Sequence, residues 1–225
     1  MTQTSPTTGP ARTLGLIGAG HIGSALARAA TRHGWTVVIS NSRGPETLVD
    51  LVAELGDRAR AASAAEAAGA SDLVVVTVPL RALADLPLAE LAGRTVIDTN
   101  NYYPSRDGHV EALDQQRTTS SQLLADLVPT ARVVKAFNHI EARKIAEDAS
   151  EPGSTERRAL LVAGDDVAAR QQVAAFVDEI GFDVVELPAL AETWRIEPGT
   201  PGYGPRLTRA GLTAALADAV RPEPV

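Results

Sequence analysis

Short apolar runs alternate with alanine-rich, amphipathic stretches along most of the chain. The run "DLVVVTV" at 72–78 is the clearest of them, and such an unbroken series is typical of a parallel strand buried on both faces. The pattern predicts strands at residues 13–18, 36–40, 58–61, 72–78, 95–98, 132–137, 159–163 and 183–187. It predicts helices at 22–33, 45–55, 64–68, 82–91, 119–127, 167–180 and 206–220.

Strands that alternate with helices in this way predict an α/β fold with helices on both faces of one sheet. We expect residues 13–150 to form a Rossmann domain, a doubly wound parallel sheet that binds a dinucleotide at the carboxyl ends of its strands. The last strand–helix–strand unit should form a small C-terminal extension, residues 151–225, packed on the same sheet. Residues 1–12 are rich in Thr, Ser, Gln and Pro, which favours a disordered tail.

The first predicted strand and helix are joined by the motif G-x-G-x-x-G, with Gly18, Gly20 and Gly23 in the three glycine positions. In a dinucleotide site the first glycine allows the tight turn, the second lets a pyrophosphate approach, and the third lets the helix pack closely. Backbone N–H groups at His21 and Ile22 would then face the phosphates at the positive end of the helix. The alternative is an ordinary strand–helix turn without a ligand.

The second predicted strand ends in "SNSRG", and no acidic residue lies between Gly34 and Pro45. An NAD site usually carries an acid there, about 20 residues past the motif, to bind the ribose hydroxyls. Without an acid nothing repels a 2′-phosphate, and Asn41, Ser42 and Arg43 offer donors for it. These residues therefore indicate NADP(H); the alternative is that they only shape a turn and begin the next helix.

Polar groups follow three neighbouring predicted strands, where the nicotinamide would lie. Val78 and Pro79 could form an apolar wall for the ring, and Asn100 and Asn138 could bind its carboxamide. Each asparagine taken alone is also explained as a turn residue.

The loop "TNNYYPSRDGHVEAL" and the histidine after "KAFN" lie on the expected acceptor side of the coenzyme. We select His139 and Tyr103 as candidate catalytic residues. The alternatives are a structured turn for the loop and a hydrogen-bonded structural role for the histidine. Trp194, Arg195 and Tyr203, near the end of the chain, could cover the site, form a dimer contact, or simply pack.

Composition excludes several other classes of function. The formal net charge is -7 and no basic stripe is visible, so we expect no nucleic-acid partner. The chain has no cysteine, its four histidines lack ligand spacing, and we predict no metal site. No apolar run reaches about 18 residues and the N-terminus lacks targeting features, so we expect no membrane partner and a cytoplasmic location.

With "GLIGAGHIG", "NSR", "VVVTVP" and "VVKAFN" in this order, the chain resembles NADP oxidoreductases dependent on the 8-hydroxy-5-deazaflavin coenzyme F-420. The same domain type recurs in STEAP-type ferric reductases, and the resemblance covers residues 13–187. It implies that Ser42 and Arg43 contact the 2′-phosphate, that the three glycines bind the coenzyme, and that the chain forms a homodimer. The chain departs from the family at His139–Ile140–Glu141–Ala142, where members often have Thr-Ile-Pro-Ala, and in the two-tyrosine loop.

Three functions fit these observations. The first is hydride transfer between NADPH and a small-molecule acceptor, with 8-hydroxy-5-deazaflavin or a flavin-like ring as co-substrate. The second is an NADPH-dependent carbonyl or imine reductase, which needs a proton donor, and Tyr102, Tyr103, His109 and His139 are the candidates. The third is a non-catalytic NADPH sensor.

Overall fold

The computed structural model describes residues 12–221, and the predicted tail at 1–11 and chain end at 222–225 lie outside the described residues. The strands are β1 (Thr13–Ile17), β2 (Thr36–Ser40), β3 (Ala59–Ala61), β4 (Leu73–Val76), β5 (Thr95–Asp98), β6 (Arg132–Lys135), β7 (Ala159–Gly164) and β8 (Asp183–Leu187). The helices are α1 (His21–Arg32), α2 (Val49–Leu55), α3 (Ala64–Gly69), α4 (Leu88–Leu91), α5 (Pro104–Asp107), α6 (Glu111–Asp114), α7 (Ser120–Leu127), α8 (Lys144–Glu147), α9 (Val167–Glu179) and α10 (Arg209–Ala217).

All eight strands form one sheet in the order β3-β2-β1-β4-β5-β6-β7-β8. The first six strands are parallel and have the strand order of the doubly wound dinucleotide fold, so the predicted Rossmann fold is confirmed. β7 and β8 are parallel to each other, but β7 pairs antiparallel to β6. β7 and β8 are therefore antiparallel to the first six strands. The sequence pattern does not indicate this change of direction.

Helices cover both faces of the sheet, as the unbroken apolar runs predict. On one face α1 and α9 pack over the strands, with Leu26 and Phe176 completely or almost completely buried. On the other face α3 and α7 pack through Ala67 and Leu124. A third, smaller cluster forms where α10 covers β7, around Leu212.

The prediction of one helix over residues 82–91 is wrong. A 3-10 helix spans Leu80–Asp85, Leu86 is extended with ψ 148°, and α4 begins only at Leu88. The cause is Pro87, because proline lacks an N–H and disfavours the helical conformation of the residue before it. The predicted helix at 45–55 also starts as a 3-10 turn, Pro45–Leu48, before α2.

The tightest packing of the fold lies where β1 turns into α1 beside the end of β4. Gly18 has φ +107°, and a Cβ on it would come within 2.6 Å of Thr77 Oγ1. A Cβ on Gly23 would come within 1.9 Å of the Gly18 carbonyl oxygen. Gly20 differs from both, since a Cβ there meets nothing within 4 Å. Two glycines therefore serve the fold, and the middle one leaves open space.

We expect Gly23→Ala to lower the free energy of unfolding by at least about 2 kcal/mol, because the methyl group collides with backbone rather than with a side chain that can move. Gly20→Ala is the matched control and should cost less than about 1 kcal/mol, the usual loss on placing alanine at this helix cap. Urea denaturation of both variants, followed by circular dichroism, measures the difference. Equal losses would contradict this account of the turn.

Candidate functional site

The amino end of α1 carries the groups that an anion needs. Its cap is Gly20, which makes no side-chain capping bond, and no acidic residue lies in the first turn. The N–H groups that open the helix therefore keep their partial positive charge for a ligand. The His21 side chain is exposed, whereas Ile22 packs partly on the core, so only its backbone can face a ligand.

The end of β2 places Asn41, Ser42 and Arg43 in a tight turn. Asn41 is used by the turn itself: its Oδ1 accepts from the Arg43 N–H at 3.0 Å and its Nδ2 donates to Thr47 Oγ1 at 2.8 Å. The side chains of Ser42 and Arg43 are exposed and make no hydrogen bond or ion pair with any residue between 12 and 221. Two of the three predicted contacts are thus free to bind a ligand.

These turns enclose a first cavity of about 360 Å³ at the carboxyl ends of β1, β2 and β4. It is lined by Ile17, Gly18, Ala19, Gly20, Ser40, Asn41, Ser42, Arg43, Ala64, Thr77, Val78, Pro79, Ala82, Asp85 and Leu86. The structure therefore brings the glycine turn, the Ser–Arg pair and the predicted Val78–Pro79 wall around one space.

The two predicted amide contacts lie further along the same edge, after β5 and β6. Asn100 Nδ2 and Asn138 Oδ1 are both buried without a hydrogen-bond partner among the described residues. One is a donor and the other an acceptor, which is the pair of partners that a carboxamide needs. The other end of the Asn138 amide is fixed, because its Nδ2 donates to Asn101 Oδ1 at 3.0 Å and to the Ile196 carbonyl at 2.9 Å.

A buried ion pair holds the turn that carries Asn100, and sequence reasoning missed it. Lys135 Nζ lies 3.1 Å from Asp98 Oδ2, and both side chains are fully buried. The same ammonium group donates to the Asn100 carbonyl at 2.5 Å and to Ser120 Oγ at 2.9 Å, while Asp98 accepts from Ser121 Oγ and from the Asn100 N–H. The available signal was a lysine inside the apolar run "VVKAF", since a buried lysine needs a partner.

His139, one of the two candidate catalytic residues, lies in the core beneath the site. Its side chain is almost completely buried, and Nε2 accepts a hydrogen bond from the Leu161 N–H at 3.0 Å. Burial lowers the pKa of His139 to about 3; the positive charge of Arg158 adds to this, and the Gly202 backbone opposes it. This ring joins the segment after β6 to β7, which is the contact of a structural histidine.

Tyr103, the other candidate, lies at the surface of the strand-end loop. Its hydroxyl forms a hydrogen bond with the hydroxyl of Tyr203, which comes from the C-terminal segment. Tyr102 points away into the loop, where its hydroxyl donates to Asp114 at 2.6 Å and accepts from the Val110 N–H. His109 is exposed and pairs with the same aspartate. Of the four predicted proton donors, Tyr103 is therefore the one whose hydroxyl contacts the C-terminal segment.

A second cavity of about 550 Å³ runs along the outer side of α1, between that helix and α8. It begins at Gly20 and His21 and ends near His33. Alanines form much of its lining, and the two arginines that flank it most closely, Arg28 and Arg143, are paired with glutamates. Residues 12–221 contain no group of side chains that could hold a metal ion and no helix that could cross a membrane.

Part of the sequence that forms the carboxyl edge of the sheet matches the model of a known family. The family model described as NADP oxidoreductase, coenzyme F420-dependent, matches residues 13–102, from β1 to the loop after β5. The hypothetical protein SMa0349 from Sinorhizobium meliloti is 31% identical, and its structure superposes with a TM-score of 0.72 over 88% of this chain and 93% of that one. The chain belongs to the F420-dependent NADP oxidoreductase family. It is thus a member of an NADP-dependent oxidoreductase family, and the acceptor is a separate question.

Other relatives of this F420-dependent family member share the fold. Metalloreductase STEAP3 from Rattus norvegicus is 28% identical over 190 residues, which cover 82% of this chain and 35% of that protein. The chain thus spans about a third of the length of this curated relative. The structure of an Arthrobacter protein assigned as an F420-dependent NADP-reductase superposes with a TM-score of 0.69 at 22% identity, over 82% of this chain and 87% of that one.

The buried state of His139 predicts a pH dependence of stability. The pKa of His139 is about 3 in the folded protein and 6.5 in an unfolded chain, so below about pH 6.5 the unfolded chain binds a proton that the folded one does not. Stability should therefore fall as the pH falls from about 6.5 towards 3, with His139 contributing up to about 1.4 kcal/mol per pH unit. Urea denaturation at several pH values, compared with His139→Gln, measures this contribution. Equal slopes in the two proteins would show that His139 is not the group responsible.

Proposed function

We propose that this chain binds NADP(H) and transfers a hydride between it and a deazaflavin or flavin-like acceptor. The pair Ser42–Arg43 carries the coenzyme half of the proposal. Both side chains are exposed, without partners among residues 12–221, and line the cavity below the glycine turn. A guanidinium group offers a planar fork of donors that matches phosphate oxygens, and no carboxylate in the β2 turn opposes it.

The remaining groups at this edge fit the other parts of the coenzyme. The first turn of α1 would bind the pyrophosphate, and the open space at Gly20 would let it approach the backbone. Asn100 Nδ2 and Asn138 Oδ1, each buried without a partner among the described residues, would donate to and accept from the carboxamide of the nicotinamide. When bound, the reduced nicotinamide supplies the hydride. The protein supplies position and exclusion of water.

A flat, conjugated acceptor is the class that we favour. Hydride transfer between two stacked rings depends on alignment and needs no general acid held tightly at the reacting atom. This agrees with a site in which His139 and Tyr102 are committed to structural contacts. Membership of the F420-dependent family supports the same class. We also propose the homodimer that the resemblance implies.

A carbonyl or imine reductase is the second candidate, and one observation favours it. Tyr103 places a hydroxyl at the strand ends, and such chemistry needs a proton donor beside the hydride acceptor. The two candidates share the coenzyme and differ only in the acceptor, so they are separated by the acceptor that reacts.

We expect Arg43→Ala to raise the Kd for NADPH by about 10- to 100-fold and the Kd for NADH by less than about 3-fold, because only NADPH carries the 2′-phosphate. Isothermal titration with both coenzymes measures the two constants. Arg209→Ala is the control, since Arg209 is an exposed arginine at the start of α10, away from the cavity. An equal loss for both coenzymes would contradict the assignment of the phosphate to Arg43.

We expect the wild-type protein to oxidise NADPH when oxidised 8-hydroxy-5-deazaflavin or riboflavin is supplied. NADPH deuterated at the nicotinamide C4 should pass the label to the deazaflavin ring, which mass spectrometry detects. Turnover with simple imines or ketones alone would select the second candidate. If NADPH binds tightly and none of these acceptors oxidises it, the result would indicate the third function, a non-catalytic NADPH sensor.

A further inference from the structure

Two tyrosines that lie far apart in the sequence meet at the strand-end edge. Tyr103 follows β5, Tyr203 belongs to the glycine- and proline-rich segment before α10, and their hydroxyl groups are in direct hydrogen-bond contact. Both rings are half-buried, so the pair is neither in the core nor fully in solvent. No sequence motif indicates this pair, because each residue lies in an irregular loop.

Asn101 connects the pair to Asn138, one of the two asparagines at the predicted nicotinamide position. Asn101 Nδ2 donates to Tyr203 Oη at 3.2 Å and to the Asn138 carbonyl at 2.7 Å. Asn138 in turn donates to the Ile196 carbonyl, which fixes the start of the C-terminal segment. The hydroxyl pair therefore stands beside the ends of β5 and β6, on the side where a hydride acceptor has to lie.

Hydrogen bonds from Arg158 also hold the segment that carries Tyr203. The buried guanidinium of Arg158 donates to the carbonyls of Gly204 and Pro205, and also to the carbonyl of His139. It forms an ion pair with Asp148 at 2.8 Å. Because Asn138 holds Ile196 before Tyr203 and Arg158 holds Gly204 and Pro205 after it, the tyrosine is placed by the fold.

A count of hydrogens shows what the pair can do. Two hydroxyl groups carry two hydrogens, and one of them is used in the bond between Tyr103 and Tyr203. Asn101 contributes its own hydrogen to Tyr203 and consumes none. One hydroxyl hydrogen is therefore left without an acceptor in these contacts, whichever tyrosine donates to the other.

The surroundings keep that hydrogen in place and suit a developing negative charge. Burial and the hydrogen bond with Tyr103 raise the pKa of Tyr203 above its ordinary value, so it stays protonated across the working pH range. The guanidinium of Arg106 lies over the Tyr103 ring, 4.9 Å from its centroid, and its charge is balanced by an ion pair with the buried Asp107 side chain at 2.7 Å. The favourable group is therefore the hydroxyl itself, because a fixed hydroxyl donor stabilises an atom that gains electron density.

We propose that the Tyr103–Tyr203 pair is the binding group for the hydride acceptor and donates one hydrogen bond to its carbonyl oxygen or ring nitrogen. That heteroatom is bonded to, or conjugated with, the ring or carbonyl atom that takes the hydride, so it gains negative charge as the hydride arrives. Flavin-like rings, carbonyls and imines all carry such an atom, whereas a bare metal ion does not. This inference rests on the proposed function and names the contact by which the acceptor is recognised.

The test measures binding rather than turnover. Oxidised 8-hydroxy-5-deazaflavin and riboflavin are titrated separately into the protein with NADP⁺ present, and their Kd values are compared with those for Tyr103→Phe, Tyr203→Phe and the double variant. The variant that lacks the hydroxyl donating to the probe should bind the preferred probe about 3- to 10-fold more weakly, the usual effect of one hydrogen bond. The other single variant keeps that donor and loses only the bond that polarises it, so its loss should be smaller, and the double variant should lose at least as much as the more affected single variant.

Tyr102→Phe is the matched control, since Tyr102 lies in the same loop and its hydroxyl bonds only within that loop. It should lower thermal stability and leave the Kd of the probe unchanged. NADPH affinity should be unchanged in all four variants. If Tyr203→Phe does not fold, Tyr103→Phe tests the proposal alone, because Tyr103 either donates to the probe or donates to the hydroxyl that does.

The proposal is overturned if both single variants bind the probes as the wild type does. It is equally overturned if the wild type binds neither probe, or if the variants weaken NADPH and probe alike. Failure of the proposed function gives a different result. In that case the probes bind, the tyrosine variants weaken them, and no hydride passes from NADPH.

Discussion

The site depends on the close approach of three backbone segments at the ends of β1 and β4 and the start of α1. The Thr77 N–H donates to the Ile17 carbonyl at 2.9 Å, and its hydroxyl donates to the Gly18 carbonyl at 2.7 Å. Only glycine at 18 and 23 lets the segments come this near. The result is a helix that starts at the sheet edge with its N–H groups unpaired, so the anion site follows directly from how the backbone packs.

The coenzyme half of the site could be predicted from sequence because all its parts are local. The glycine turn, the β2 turn and the end of β4 lie between residues 13 and 79, and each follows a strand that an apolar run makes visible. The wrong prediction nearby has a local cause as well. Pro87 divides a helix whose amphipathic pattern continues through it. Asn41 lines the cavity and also holds the β2 turn with its side-chain amide, and its contact with the coenzyme stays a prediction.

The acceptor half could not be predicted, because its contacts join segments far apart in the chain. Lys135 contacts Asp98 across 37 positions, and Tyr103 contacts Tyr203 across 100. The sequence shows that a buried lysine needs a partner but does not show which one. The antiparallel pairing of β7 with β6 could not be predicted either, and it places the start of β7 at the carboxyl edge, where Arg158 holds Gly204 and Pro205 of the C-terminal segment.

The separation between the coenzyme side and the acceptor side of the site explains where the chain departs from its family. The family model covers residues 13–102, which contain the coenzyme half, and stops before the residues that surround the acceptor side. His139 and Glu141 stand where the resemblance suggests another pattern, and the contacts of both are local to the loop after β6. His139 binds the backbone of β7, and Glu141 is exposed and pairs with Arg143. Their difference therefore concerns how the loop after β6 is anchored, which is why we propose Tyr103 and Tyr203, and not these two residues, as the contacts of the acceptor.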